Sequence, residues 1–181
     1  MVFRLAVFRL AILVSVCTQF GGGQPAQLMN EYHVKAAFLY NFAKFIDWPA
    51  DTYQDAADPF AICVLGQYPF DRTLDDLVAG KTIAGRPFAV RRVSDVRQTA
   101  GCQILFVSSS VPKHVCTAIA AAKQEGVLTV GEASNSGADD MVITLNLQDG
   151  KVRFEINLRK ANEEKLHISA RLLSLATVVK K

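Results

Sequence analysis

The chain carries few of the marks by which a sequence announces chemistry. One glycine, Gly66, stands in GQYPFDR after an apolar run, where a dinucleotide-binding turn needs three: for the turn, for close approach of the pyrophosphate, and for helix packing. His33, His114 and His167 are scattered. They show neither the two histidines of an HExxH helix nor a paired Cys/His spacing for zinc. Ser108, Ser109 and Ser110 lack the GxSxG context of a hydrolase nucleophile. Charge of one sign is also missing, since 20 basic against 17 acidic side chains leave a formal charge of +3 with no basic stripe. Counterion release, the source of most nucleic-acid affinity, has nothing to draw on. The reading is of a non-enzymatic protein without catalytic residues, metal, cofactor or nucleic-acid partner.

What is present begins with an export signal. Arg4 and Arg9 precede an apolar run over residues 10–17 and a small-residue stretch over 21–26, the layout of a cleaved secretory signal. The run is too short to span a bilayer as a mature helix. A lipid anchor on Cys17 is disfavoured because Val16 stands where a small residue is needed. Residues 1–26 are read as signal, with approximate cleavage, and 27–181 as one domain. Its 18 basic and 17 acidic side chains and about 155 residues suffice for one substantial core. The expected location is the periplasm of a Gram-negative bacterium.

Three cysteines remain after cleavage: Cys63, Cys102 and Cys116. In an oxidising compartment they allow one bridge and one leftover. Cys63 lies in FAICVLG and Cys102 opens CQILFV; on neighbouring parallel strands the two would come within bridging distance. Cys116 falls on a predicted helix. A bridge between Cys63 and Cys102 is favoured, and three buried thiols are the alternative.

Periodicity gives helix 32–48, strand 60–66, helix 70–78, strands 88–93 and 103–107, helix 112–124 and strand 127–130. Short apolar strands alternating with helices predict an α/β fold, a mainly parallel sheet flanked by helices. The pattern then changes to a C-terminal antiparallel hairpin. Strands 141–147 and 151–158 flank Asp149-Gly150, a type I′ turn signal. The turn sets Leu147 opposite Val152, Leu145 opposite Phe154, Ile143 opposite Ile156 and Met141 opposite Leu158. The other face, with Asn146, Arg153, Thr144, Glu155, Val142 and Asn157, is expected to be polar and partly wet. A last helix is predicted over 170–179, capped by Ser169 and ending on Lys180 and Lys181, which suit the dipole.

On the first helix Tyr32, Phe38, Leu39, Phe42, Phe45 and Ile46 share one side, a core-facing stripe. Lys35 falls within it, and either snorkels past the core edge or pairs with a buried acid or a bound anion. The opposite side holds His33, Tyr40, Asn41, Lys44, Asp47 and Trp48, a contact surface unless Trp48 pins the helix end. The serines 108–110 are explained by capping of the next helix, with ligand contact at the sheet's carboxyl edge as the other reading.

Several segments together resemble one family. YHVKAAFLYNFAKFIDWP, ICVLG followed by PF, IAGRPFAVRRV, CQILFVSSS and VRFEINLRKANEEKLHISARLLSLA look like the YfiR family of exported bacterial regulators, in order over nearly the whole mature chain. The resemblance implies a periplasmic α/β domain, often a homodimer. Such a domain binds the periplasmic portion of an inner-membrane diguanylate cyclase and holds it inactive, which lowers cyclic di-GMP and biofilm formation. An outer-membrane peptidoglycan-associated lipoprotein relieves inhibition by sequestering it. Other members stand beside or fused to sensor kinases, so a ligand-binding sensor domain acting on a kinase is the alternative.

Cys63 and Cys102 fall where the family carries a disulfide, which makes a redox-responsive regulator an expectation. The family's second bridge has no cysteines here, and the loop GEASNSGADD is more polar than the family's usual run. For partner or ligand contact the residues are Lys35, Glu155, Asn157, Arg159, His167 and Arg171. The last five are expected to form one patch, in which Arg171, in the first turn of its helix, pairs with Glu155 or with an acid on a ligand, unless the pair is an ordinary solvated one.

Overall fold

The computed structural model describes residues 24–53, 55–122, 125–134 and 141–181. Most of the expected signal, residues 1–23, and most of the polar loop, residues 135–140, lie outside the described residues.

The first helix, α1 (Gln24–Phe45), starts earlier than its predicted span and buries Ala36, Leu39, Phe42 and Ala43 at helical spacing. It ends where Ile46–Asp47 (β1) pairs antiparallel with His167–Ile168 (β9). Trp48 then pins this end, its indole edge-on to Phe60 at 4.9 Å and its Nε1 donating to the Gln103 carbonyl at 3.2 Å. The chain continues through β2 (Phe60–Leu65), α2 (Thr73–Val78), β3 (Thr82–Ile83), β4 (Arg86–Val93), β5 (Ile104–Val107), α3 (Lys113–Ala121) and β6 (Leu128–Glu132). It closes with β7 (Ile143–Gln148), β8 (Lys151–Asn157), α4 (Leu158–Glu163), α5 (Ala170–Leu173) and β10 (Val178–Lys180).

Eight strands form one sheet in the order β10-β8-β7-β6-β5-β2-β4-β3. From β4 to β7 the neighbours are parallel; β8 is antiparallel to β7, β10 parallel to β8, and β3 antiparallel to β4. All six residues of β2 are buried, as a central parallel strand covered on both faces must be. One side, under α1, α2 and α5, holds Leu39, Phe42, Ile62, Phe106, Phe154 and Leu172. The other, under α3, holds Cys63, Leu105, Cys116 and Ile119.

The hairpin register agrees with the sequence reading from Leu147↔Val152 to Ile143↔Ile156, and Asp149 and Gly150 both have positive φ, as a type I′ turn requires. Met141 does not pair with Leu158, because Asn157 caps α4 and Leu158 is already helical. The polar face is drier than expected, with Thr144 7% and Asn157 9% exposed. The predicted final helix is corrected more sharply. It stops at Leu173, and the β-branched Val178 and Val179 pair with Glu155 and Ile156 on the outer side of β8. The edge of β8 offers backbone partners that a helix could not use. Ser169 caps α5 through the Leu172 N–H. The serines 108–110 do not cap α3, whose N-cap is Pro112.

Candidate functional site

β2, β5 and β6 end side by side, so Gly66, Ser108 and Glu132 mark the carboxyl edge of the parallel strands. Glu132, 2% exposed, accepts hydrogen bonds from Tyr32 Oη at 3.1 Å and the Ser109 N–H at 2.8 Å. Lys35, 4% exposed, forms short ion pairs with Glu132 and, one helical turn back, with Glu31. Its ammonium also lies 4.4 Å from the centre of the Tyr32 ring. Lys35 therefore pairs with a buried acid, the second of its expected roles. Burial, followed by the charge of Glu132 and the hydrogen bond to it, pushes the Tyr32 phenol well above its ordinary range.

Every polar head in this cluster is matched to another. A carboxylate with three donors joins α1 to the ends of β5 and β6 and leaves no reactive group unpaired. Nothing in the sequence singled out Glu132. The available signal was a lone acid closing the apolar strand LTVGE, facing a lone cation inside an apolar helical stripe.

Beside the cluster the chain is closely packed. Gly66 has φ +91°, and a Cβ there would lie 2.6 Å from Ser110 Oγ, which accepts from the Gln67 N–H at 2.8 Å. The serine run thus ties β5 to β2 and β6. An open cleft of about 920 Å³ between α1 and α2 is lined by Tyr32, His33, Phe70, Arg72, Thr73 and Leu77 among others. Among the described residues, no group of three His, Cys, Asp or Glu side chains is placed to hold a metal.

Cys63, on β2, and Cys102, just before β5, are joined in a buried disulfide with Cα atoms 5.8 Å apart. The pairing of β2 with β5 brings them together. Cys116 stays a thiol, buried on α3 with its Sγ 3.9 Å from the Val111 carbonyl oxygen.

The other expected contact residues are divided. Glu155 projects from β8 away from α1, since its neighbours Phe154 and Ile156 face the helix-side core. It bonds Asn146 Nδ2 at 3.2 Å and pairs with Lys180 at 3.4 Å. Asn157 caps α4 through the Lys160 N–H at 3.1 Å. Arg171 sits over the ring of Phe45 on α1, 5.4 Å from its centre, so Lys180 and not Arg171 is the partner of Glu155. Arg159, His167 and Arg171 are exposed. Arg159 lines a groove with Leu158, Asn162, Glu163 and Lys181, and His167 stands opposite Asp47.

The sequence model of the YfiR/HmsC-like family matches residues 32–177, from within α1 to the residue before β10. The chain belongs to the YfiR/HmsC-like family. No curated protein matches it.

The YfiR/HmsC-like region includes the disulfide, the Lys35–Glu132 network and the exposed residues of the C-terminal third. Family membership suggests a periplasmic regulator of diguanylate cyclase signalling, regulatory and not catalytic. Among the described residues no helix is long and apolar enough to cross a membrane.

Proposed function

We propose that this protein binds the periplasmic portion of an inner-membrane diguanylate cyclase and holds it inactive, lowering cyclic di-GMP and biofilm formation. The observation that carries this reading is the family match across residues 32–177. Export by a cleaved signal, a homodimeric state and sequestration by an outer-membrane peptidoglycan-associated lipoprotein belong to the same proposal. The physical requirement is differential affinity: binding inhibits only to the extent that it favours the inactive cyclase over the active one. Arg159, His167 and Arg171 are the exposed side chains proposed for that contact. Glu155, Asn157 and Lys35 act through the fold, since each already has internal partners.

The test is intracellular cyclic di-GMP in cells with and without this gene, complemented by the wild type or by Arg171→Glu. A rise on deletion that wild type reverses and the variant does not is the expected result. An unchanged level on deletion overturns the cyclase reading. The cleft between α1 and α2 supports a second reading, a ligand-binding sensor domain acting on a kinase. A small molecule that raises the melting temperature, and loses this effect when Phe70 is replaced by alanine, would favour it.

A further inference from the structure

The two edges of the sheet are finished differently. β10 closes one edge with three residues. At the other, β3 covers only the start of β4, pairing Thr82 with Pro87 and Ile83 with Arg86. On its inner side β4 pairs with β2 from Phe88 to Val93. Two hydrogen bonds fix which backbone groups point outward. The Phe88 N–H donates outward to the Lys81 carbonyl at 3.3 Å, and the Val93 carbonyl accepts inward from the Gly66 N–H at 3.3 Å. Backbone groups alternate along a strand, so those of Val90 and Arg92 point outward. Among the described residues they meet no strand and no side chain. Pro87, a residue type that usually blunts an edge, occupies an inward position and removes no outward donor.

The rim of this open edge is cationic. Lys44 and Lys81 lie 4.2 and 4.5 Å from the centre of the Tyr40 ring, and Arg86 lies 3.7 Å from that of Tyr53. Arg92 is 4.1 Å from the centre of Tyr68 and bonds Asp75 at 3.2 Å. Arg91, on the opposite face, donates to the carbonyls of Ala100 and Gln98. Rings and carbonyls hold these side chains in place without neutralising them. Asp75 is the one carboxylate paired with any of the five among the described residues. A second copy adding its own β4 would bring two such rims together, with like charges opposed.

We propose that the outer edge of β4, residues 90–92, is a strand-addition site for an extended acidic segment of a partner protein. Backbone bonds to Val90 and Arg92 supply the pairing. Lys44, Lys81, Arg86 and Arg92, on the helix side, select carboxylates at alternate positions of the incoming strand. The inference goes beyond the cyclase reading and is tested on purified protein, so it can stand or fall separately.

The experiment is fluorescence anisotropy of labelled octapeptides alternating glutamate with valine, or lysine with valine, added to the mature protein. The acidic peptide is expected to bind with an affinity that falls as salt rises, and the lysine peptide not to bind. Val90→Pro removes an outward donor and also trims a half-buried side chain packed against the helix-side core, so it is expected to weaken binding about tenfold in a protein that is less stable but still folded. Should Val90→Pro fail to fold, Lys81→Glu combined with Arg92→Glu replaces it, with preference reversed to the lysine peptide. No binding of the acidic peptide, equal binding of both peptides, or indifference to these substitutions overturns the proposal. Dimerisation in the ultracentrifuge that Val90→Pro abolishes would overturn it too, by assigning the edge to a second copy.

Discussion

Lys35 and Arg171 are both cations on helices over the same face of one sheet, and their surroundings are opposite. Lys35 is enclosed by Glu31, Glu132 and the Tyr32 ring in the parallel half of the molecule. Arg171, in the C-terminal third, is exposed and rests on Phe45 with no carboxylate bonded to it among the described residues. A buried charge is tolerated only when paired and hydrogen-bonded, so the first cation is committed to the fold. The second can be changed without leaving an orphan charge inside, and is available to a partner.

The sharpest way to break this contrast is Glu132→Ala. It strips Lys35 of one buried partner and leaves the Tyr32 hydroxyl and the Ser109 N–H without an acceptor. A loss of roughly 3–5 kcal/mol in urea denaturation is expected. Replacing both Lys35 and Glu132 with methionine should cost less, since no buried ammonium is left facing a vacancy and the carboxylate that loses its partner, Glu31, is 19% exposed. If the single substitution is no worse than the double one, the network is not what secures α1. Next comes the Cys63–Cys102 bridge, whose partners are 39 residues apart in sequence. Its removal in a Cys63→Ser, Cys102→Ser variant is expected to cost about 4 kcal/mol in the chain-entropy account. Loss of cyclase inhibition at a temperature where the variant stays folded would show that the bridge regulates as well as stabilises.

Asn157 sharpens the contrast within the C-terminal third, because its side chain is buried and caps α4. Asn157→Ala should cost about 1 kcal/mol and leave inhibition intact in folded protein. The tyrosines give a pH test. Burial first, then Glu132 for Tyr32 and Asp75 for Tyr68, raise both phenols above their ordinary value. Above a pH of about 10 the unfolded chain loses these protons while the folded protein retains them, so stability should fall as pH rises. Tyr32→Phe should flatten that decline; an equally steep one would place its cause elsewhere.

Much of the fold was legible because its signals are local. Asp149-Gly150 fixes a turn needing two positive φ angles, and one turn sets the whole register of β7 on β8. The apolar runs of β2 and β5 reveal strands buried on both faces, and the disulfide follows from them on the condition, met in the sheet order, that the two strands are neighbours. The tail was misread because its order depends on distant chain. Residues 174–180 suit a helix end until the outer edge of β8 is there to pair with Val178 and Val179. Glu132 was missed, and Glu155 was matched with Arg171, for one reason. Which charges meet depends on sheet order and strand face, and neither is written in the spacing of a single segment.

The smallest expected effect on stability is the one that bears most directly on function. Arg171→Glu changes an exposed side chain whose only described ring contact is with Phe45. Its unfolding free energy should stay within about 0.5 kcal/mol of wild type. A cation facing a partner's acidic group contributes to encounter and to orientation. Reversal of its charge should therefore weaken binding to the cyclase's periplasmic portion and raise cyclic di-GMP in cells, while Lys35→Met acts only through stability. Titration of both folded variants against that portion separates the cases. If Arg171→Glu binds as wild type does, the C-terminal third is not the contact surface, and the open edge of β4 becomes the place to look.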